Sequence, residues 1–142
     1  MLFRSVANLS ASIQQAPGCQ LVVIADNCQD DTAALATAAG ARVLVRHNDV
    51  ERGKGFALDY AFKQLLAEDF DGFIVVDADS RVDAPFVSTF QNAFAQGLQA
   101  LQCRYRIANP QASRRARLQY IAWLAFNELR LFVDVYDTSP RV

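Results

Sequence analysis

The chain has 142 residues, which suits one compact domain, because a domain near this size buries about two-thirds of the surface that its unfolded chain exposes. Hydrophobic residues make up 52% and charged residues 20%, a balance typical of globular proteins and unlike that of disordered chains. The formal net charge of -1 gives no electrostatic reason to expect nucleic acid as a partner, because binding a phosphate backbone needs many clustered basic residues.

The three cysteines, Cys19, Cys28 and Cys103, lack the spacing of a zinc site or a redox pair. We interpret them as reduced, mostly buried thiols, which favours a cytoplasmic protein. The sequence shows no signal-peptide pattern and no run of about 18 apolar residues, so we expect neither secretion nor a membrane span.

Hydrophobic periodicity predicts helices that alternate with strands. The predicted elements are a helix with apolar residues at 2, 6, 9 and 13, a strand at 20–25, a helix capped by Asp30 or Asp31 and ended by Gly40, a strand at 42–45, a helix at 55–67, a strand at 72–76, a helix after Pro85 and a strand at 100–105. This alternation implies parallel strands joined by crossover helices. The predicted fold class is α/β, with a mainly parallel sheet flanked by helices.

Polar residues that directly follow the predicted strands are the candidate ligand contacts, because ligands of such sheets bind beyond the carboxyl ends of the strands. Asp77 and Asp79 follow the strand at 72–76, and a DxD pair suits Mg²⁺ or Mn²⁺ together with phosphate oxygens. The alternative is that Asp79 and Ser80 cap the next turn. Asp26 follows the strand at 20–25, where it can accept hydrogen bonds from a base or a ribose, or else form part of an Asx turn.

The segment 52–55, Arg-Gly-Lys-Gly, opens the third predicted helix. Its glycines permit close backbone approach, and Lys54 adds a positive charge near the helix N-terminus, so the segment favours anions. It lacks the spacing of a P-loop, and an ordinary flexible turn is the alternative. We interpret His47, in the preceding loop, as a surface histidine.

The later part of the sequence is locally basic and contains a predicted helix at 118–133 that is apolar on most sides. Three interpretations stay open for this helix: it belongs to the core of the domain, it makes a peripheral membrane contact, or it packs on another part of a larger protein.

Segments 25–32, 52–58 and 75–80 together resemble the donor-site motifs of glycosyltransferase family two, in order and in spacing. The resemblance covers nearly the whole chain and implies a GT-A fold, the Rossmann-like fold of nucleotide-diphospho-sugar transferases. It also implies a nucleoside-diphosphate sugar as donor, with a UDP-sugar favoured, and a lipid or polysaccharide as acceptor. By this resemblance Asp26 contacts the base or ribose and Lys54 lies beside the base or diphosphate. Asp77 contacts the nucleotide, and Asp79 binds the divalent metal together with Asp77.

The sequence also departs from the family pattern. Members usually begin with a strand and a Pro-rich loop that forms a wall of the nucleotide pocket, whereas the first helix here resembles the one that follows that strand. Members also supply a carboxylate base after the last helix, and Asp134 and Asp137 lack its motif. Ala25 stands where many members carry aspartate. We expect one partial domain, with a donor-binding part at about 19–106 and a helical acceptor-side or membrane-proximal segment at about 112–136.

The predicted function is an inverting sugar transfer in the cytoplasm or at the inner face of its membrane. The metal and Lys54 would stabilise the departing diphosphate, and the base that deprotonates the acceptor is expected to lie outside this sequence. A nucleotidyltransferase is the enzymatic alternative, although the glycine-rich phosphate loop of that class is absent. A catalytically inactive donor-binding fragment or an interaction subunit is the alternative outside catalysis.

Overall fold

The computed structural model describes residues 2–103 and 106–133. The chain divides into two compact units, one ending at Gln99 and the other beginning at Ala100. The elements are α1 (Leu2–Ile13), β1 (Val22–Asp26), α2 (Thr32–Ala38), β2 (Arg42–Arg46), α3 (Lys54–Leu65), α4 (Phe86–Ala95) and α5 (Arg114–Val133). Both strands and the first four helices belong to the first unit, and α5 belongs to the second.

Strands β1 and β2 form a parallel pair in which Val22 lies opposite Arg42 and Asp26 lies opposite Arg46. The crossover between them contains α2, which ends before Gly40; the φ of 85° at Gly40 is a left-handed conformation that glycine adopts without strain. The parallel pairing and the α/β class are therefore as the sequence predicts. The register places the last residues of both strands side by side at one edge of the sheet.

Helices cover both faces of the strand pair. Both α2 and α3 contact β1 and β2, whereas α2 and α3 make no contact with each other among the described residues, so they lie on opposite faces. Helix α1 packs against α2 and α4. On the α3 face, Leu44, Ala61 and Leu65 form a buried cluster, against which Phe70 and Phe73 pack.

Two predicted strands differ from the structure. Residues 72–76 are not assigned to a strand and make no backbone–backbone hydrogen bond with described residues. The reason is that no described strand lies beside them, so their apolar pattern has no ladder to join. Residues 100–103 of the predicted strand at 100–105 are also irregular, and residues 104 and 105 lie outside the described part.

Helix α5 begins at Arg114, earlier than the predicted start at residue 118. Four of its large apolar side chains are exposed: Leu118, Ile121, Trp123 and Phe126. None of the helices in the described ranges is both long enough and apolar enough to cross a membrane. Asp134 and Asp137 lie outside the described residues.

Candidate functional site

Asp26 and Arg46 form a largely buried ion pair at the carboxyl ends of the two strands. Arg46 Nη1 lies 2.8 Å from Asp26 Oδ1, and the two side chains are only 6% and 20% exposed. Arg46 Nη2 also donates to the Glu51 carbonyl at 2.8 Å. Because Arg46 holds Oδ1, the Asp26 carboxylate is fixed in orientation, and its Oδ2 makes no hydrogen bond to any described residue.

The loops after β1 and β2 are tied together by two asparagines. Asn27, at a φ of 53°, donates from Nδ2 to the Asn48 carbonyl at 3.0 Å and accepts the Asn48 N–H at 2.8 Å. Asn48 Oδ1 in turn accepts the N–H groups of Val50 and Glu51 at 2.9 Å. This network fixes both loops at the edge of the sheet where Asp26 lies.

Asp30 forms the local turn that the sequence allows. Its Oδ1 accepts the Thr32 N–H at 3.1 Å, and hydrogen bonds from Thr32 lower the pKa of the Asp30 carboxyl below its ordinary value. Asp31 precedes α2 but makes no side-chain capping bond. Asp30 therefore shapes the local backbone, whereas the Asp31 side chain does not cap the helix, and Asp26 remains the ligand candidate of the loop.

Lys54 and Asp77 form an ion pair across the carboxyl edge of the sheet. Lys54 is the first residue of α3, and Gly53 before it has a φ of 112°, which brings the chain into the helix without a side-chain cap. Lys54 Nζ contacts Asp77 Oδ1, and the two side chains are 62% and 43% exposed. The structure thus brings together two of the predicted site residues, in a position open to solvent.

Helix α1 holds the segment that carries Asp77 and Asp79. Ser5 Oγ donates to the Ala78 carbonyl at 2.6 Å, and Asn8 makes two hydrogen bonds to the Val82 backbone, at 2.9 and 2.7 Å. Ser12 Oγ donates to the Ala84 carbonyl at 2.9 Å. These three residues were not predicted from the sequence; their spacing of three and four, which places them on one helix face, was the available signal.

Asp79 is exposed, in a turn closed by the Ser80 N–H, which donates to the Asp77 carbonyl at 2.9 Å. The described residues contain no group of three or more His, Cys, Asp or Glu side chains able to hold a metal ion. A magnesium-type site often needs just one or two carboxylates, because substrate phosphates and water supply the other ligands. Asp77 and Asp79 meet this requirement in number and chemistry.

The remaining predicted features are peripheral. His47 is exposed, which agrees with the prediction of a surface histidine. It lines a pocket of about 310 Å³ with Tyr60 and Lys63. The three cysteines are free thiols and are half-buried, so the prediction that most are buried was wrong. Burial raises the pKa of the Cys19 thiol, which accepts a hydrogen bond from Gln91 Nε2 at 3.2 Å.

Comparison with known proteins gives one finding. The glycosyl transferase family 2 model matches residues 2–140, nearly the entire chain. The chain belongs to glycosyltransferase family 2. Searches of curated proteins and of solved structures find no match. Family 2 implies the GT-A fold, and the parallel strand pair with helices on both faces is consistent with part of that fold.

In this family 2 chain, the candidate site spans the carboxyl ends of β1 and β2, the N-terminus of α3 and the turn at 77–80. Lys54 and Asp77 are in contact, and Asp79 lies two residues further along the same turn. Asp26 makes no hydrogen bond to these three among the described residues and is instead paired with Arg46. Arg46 was not predicted as a site residue from the sequence, although a charged residue at the end of an apolar strand was a visible signal.

Proposed function

We propose that the first unit binds the nucleoside-diphosphate part of a sugar donor, with UDP favoured, at the site of Asp26, Lys54, Asp77 and Asp79. In a complete active centre this site would serve inverting transfer to a lipid or polysaccharide acceptor. Membership of family 2 supports sugar transfer in general. The contact between Lys54 and Asp77 is the observation that carries the site, because it joins two of the family-like motifs at one edge of the sheet.

Lys54 and the start of α3 suit a diphosphate. The first N–H groups of a helix and its dipole favour negative charge, and α3 has no side-chain cap on these groups. An ion pair this exposed contributes about 1 kcal/mol or less, so Lys54 can exchange Asp77 for a phosphate oxygen at little cost. The positive charge then lies where negative charge grows as the diphosphate departs.

Asp77 and Asp79 would hold Mg²⁺ or Mn²⁺ once Lys54 has turned to the diphosphate. A divalent cation supplies electrostatic stabilisation of the leaving diphosphate. The hydrogen bonds from Ser5 and Asn8 to the backbone at 78 and 82 fix this segment on α1. The two carboxylates are therefore carried by an anchored backbone, which lowers the entropy lost when a ligand binds.

Asp26 would contact the base or ribose through Oδ2. Because Arg46 already occupies Oδ1, the carboxylate presents its other oxygen without needing a second cation. None of the described residues is proposed as the base that deprotonates the acceptor. Donor binding and sugar transfer are therefore separate claims, and a donor-binding protein without turnover is the second candidate.

Calorimetric titration of the intact chain with UDP and Mn²⁺ tests the proposal. Wild type should bind only when Mn²⁺ is present, and Asp79→Ala should weaken binding by about tenfold or more, the effect of losing a hydrogen bond or ligand to a charged group. Asp59→Ala is the matched control, because Asp59 is an exposed aspartate of α3 paired with Lys63. Equal binding by both variants, or no binding by folded wild type, would contradict the proposed site.

A further inference from the structure

Asp77 and Asp79 occupy the first and third positions of a hydrogen-bonded β-turn. The Ser80 N–H donates to the Asp77 carbonyl at 2.9 Å, which makes Ala78 and Asp79 the two central residues of the turn. Neither central residue has a positive φ, and the described residues contain no cis peptide bond. Type II turns and the primed types need a positive φ at a central residue, so this turn is of type I.

Turns of type I and type II differ mainly in the peptide group that joins the two central residues. In a type II turn this group is rotated by about half a turn, which reverses the direction of its carbonyl and changes φ at the second central residue. That carbonyl belongs here to Ala78, and the second central residue is Asp79. Because φ sets the direction in which a side chain leaves the backbone, the orientation of this one peptide group governs where the Asp79 carboxylate lies relative to that of Asp77.

Ser5 of α1 holds this peptide group in the type I orientation. Its Oγ donates to the Ala78 carbonyl at 2.6 Å, and Ser5 is only 6% exposed, so its hydroxyl has little access to water. After a flip to type II the Ala78 carbonyl would point away from α1, and the Ser5 hydroxyl would lose its acceptor. A buried hydroxyl without a partner is costly, so Ser5 opposes the flip.

Two helices hold the turn at consecutive residues. Lys54 of α3 contacts the Asp77 carboxylate, and Ser5 of α1 holds the Ala78 carbonyl. When Lys54 leaves Asp77 for a diphosphate, the contact with α3 is lost, whereas the hydrogen bond from α1 does not involve any group that the donor would use. The bond from Ser5 therefore preserves the geometry of the turn while a ligand binds.

Given the proposed donor site, on which this inference rests, we propose that Ser5 is its positioning residue. Through the Ala78 carbonyl, Ser5 sets the relative direction of the Asp77 and Asp79 carboxylates before a divalent cation and UDP bind. Ligands bind more tightly to groups that are already oriented, because less conformational freedom is lost. Ser5 acts only through the backbone of the turn and makes no contact with the metal or the nucleotide.

Ser5→Ala and Ser12→Ala form a matched pair that separates positioning from stability. Ser12 lies two turns further along the same face of α1, is 1% exposed, and donates from Oγ to the Ala84 carbonyl at 2.9 Å, outside the turn. Both variants lose a buried hydrogen bond, so both should lower the urea midpoint. In calorimetry with UDP and Mn²⁺, Ser5→Ala should bind about tenfold more weakly than wild type, and Ser12→Ala should stay within about twofold. Ser5→Thr, which keeps the hydroxyl, should bind like wild type.

Nuclear Overhauser effects within the turn give a second readout, which needs no donor. The amide protons of Ala78 and Asp79 lie close together in a type I turn and far apart in a type II turn. Their cross-peak should be strong in wild type and in Ser12→Ala, and it should weaken in Ser5→Ala. If Ser5→Ala does not fold, Ser5→Cys replaces it, because a thiol is a weak donor.

The two readouts separate this inference from the proposed function. A type II pattern in wild type, an unchanged turn in the folded Ser5 variant, or equal loss of UDP binding in the Ser5 and Ser12 variants would overturn the positioning role alone. No UDP binding by folded wild type would overturn the proposed function and the positioning role with it, even where the turn still depends on Ser5.

Discussion

Replacing Arg46 by methionine should destabilise the first unit by about 3 kcal/mol. Methionine keeps the apolar stem but removes the guanidinium that lies 2.8 Å from Asp26 Oδ1. Removing one partner of a buried ion pair typically costs about 3–5 kcal/mol, because the other charge stays buried and uncompensated. Asp26 is 20% exposed, so water partly compensates it, and we expect the lower end of that range. The lost hydrogen bond to the Glu51 carbonyl is included in this value.

Urea unfolding at neutral pH measures the effect, with Arg52→Met as control. Arg52 and its partner Asp49 are 67% and 91% exposed, so their pair should contribute about 1 kcal/mol or less. A double-mutant cycle of Arg46→Met with Asp26→Asn should show coupling of about 1–3 kcal/mol. If Arg46→Met costs no more than Arg52→Met, the buried pair does not fix Asp26 and the reasoning is refuted.

Three further predictions follow from particular contacts. Lys54→Met should weaken UDP binding by about tenfold in calorimetry and change the free energy of unfolding by about 1 kcal/mol or less, because the charge is exposed. Gly72→Ala should cost about 1 kcal/mol in urea unfolding, because the added Cβ would lie 2.9 Å from the Phe94 ring, which must shift; an unchanged midpoint would contradict this. Glu68 has a pKa lowered by its hydrogen bond with Arg42. Its stabilisation should be present above the unfolded-state pKa and lost as pH falls through the folded-state pKa, so the stability gap between wild type and Glu68→Gln should close in acid.

The sequence predicted the parts of the fold that rest on local pattern. The apolar runs before Asp26 and at 42–45 form strands, and Gly40 ends the helix between them, because glycine adopts the required left-handed backbone readily. The order of the strands and helices was enough to predict parallel pairing. A helical crossover returns the chain to the end of the sheet at which the previous strand began, so the next strand runs in the same direction.

The strand predicted at 72–76 was wrong because pairing is not a local property. Its residues have strand-like composition, yet a strand also needs a hydrogen-bonded neighbour, and here residues 72–76 and β1 both line a cavity of about 860 Å³. The same limit explains the weak core. Of the ten buried hydrophobic residues in the described part, six are alanines, whereas large side chains that line this cavity, among them Phe62, Phe73 and Phe94, are only partly buried.

The assignment of Asp26, Lys54, Asp77 and Asp79 to a donor site stays a prediction, and the partners that these residues have within the chain were only partly foreseen. The motif positions of Lys54 and Asp77 suggested one site, and their contact is visible in the structure. The pairing of Asp26 with Arg46 depends on strand register, which the sequence alone does not specify. The anchoring of the turn at 77–80 by Ser5 depends on tertiary packing between residues more than seventy positions apart.

Chemical-shift mapping of the isotopically labelled chain with UDP and Mg²⁺ is the most direct test of a donor site at the carboxyl edge of the sheet. The largest shifts should occur together at Asp26, Lys54, Asp77 and Asp79, should saturate with one affinity, and should disappear when Mg²⁺ is removed. Shifts centred on the pocket beside His47 and Tyr60, or none at all in the folded chain, would contradict a donor site at the carboxyl edge of the sheet.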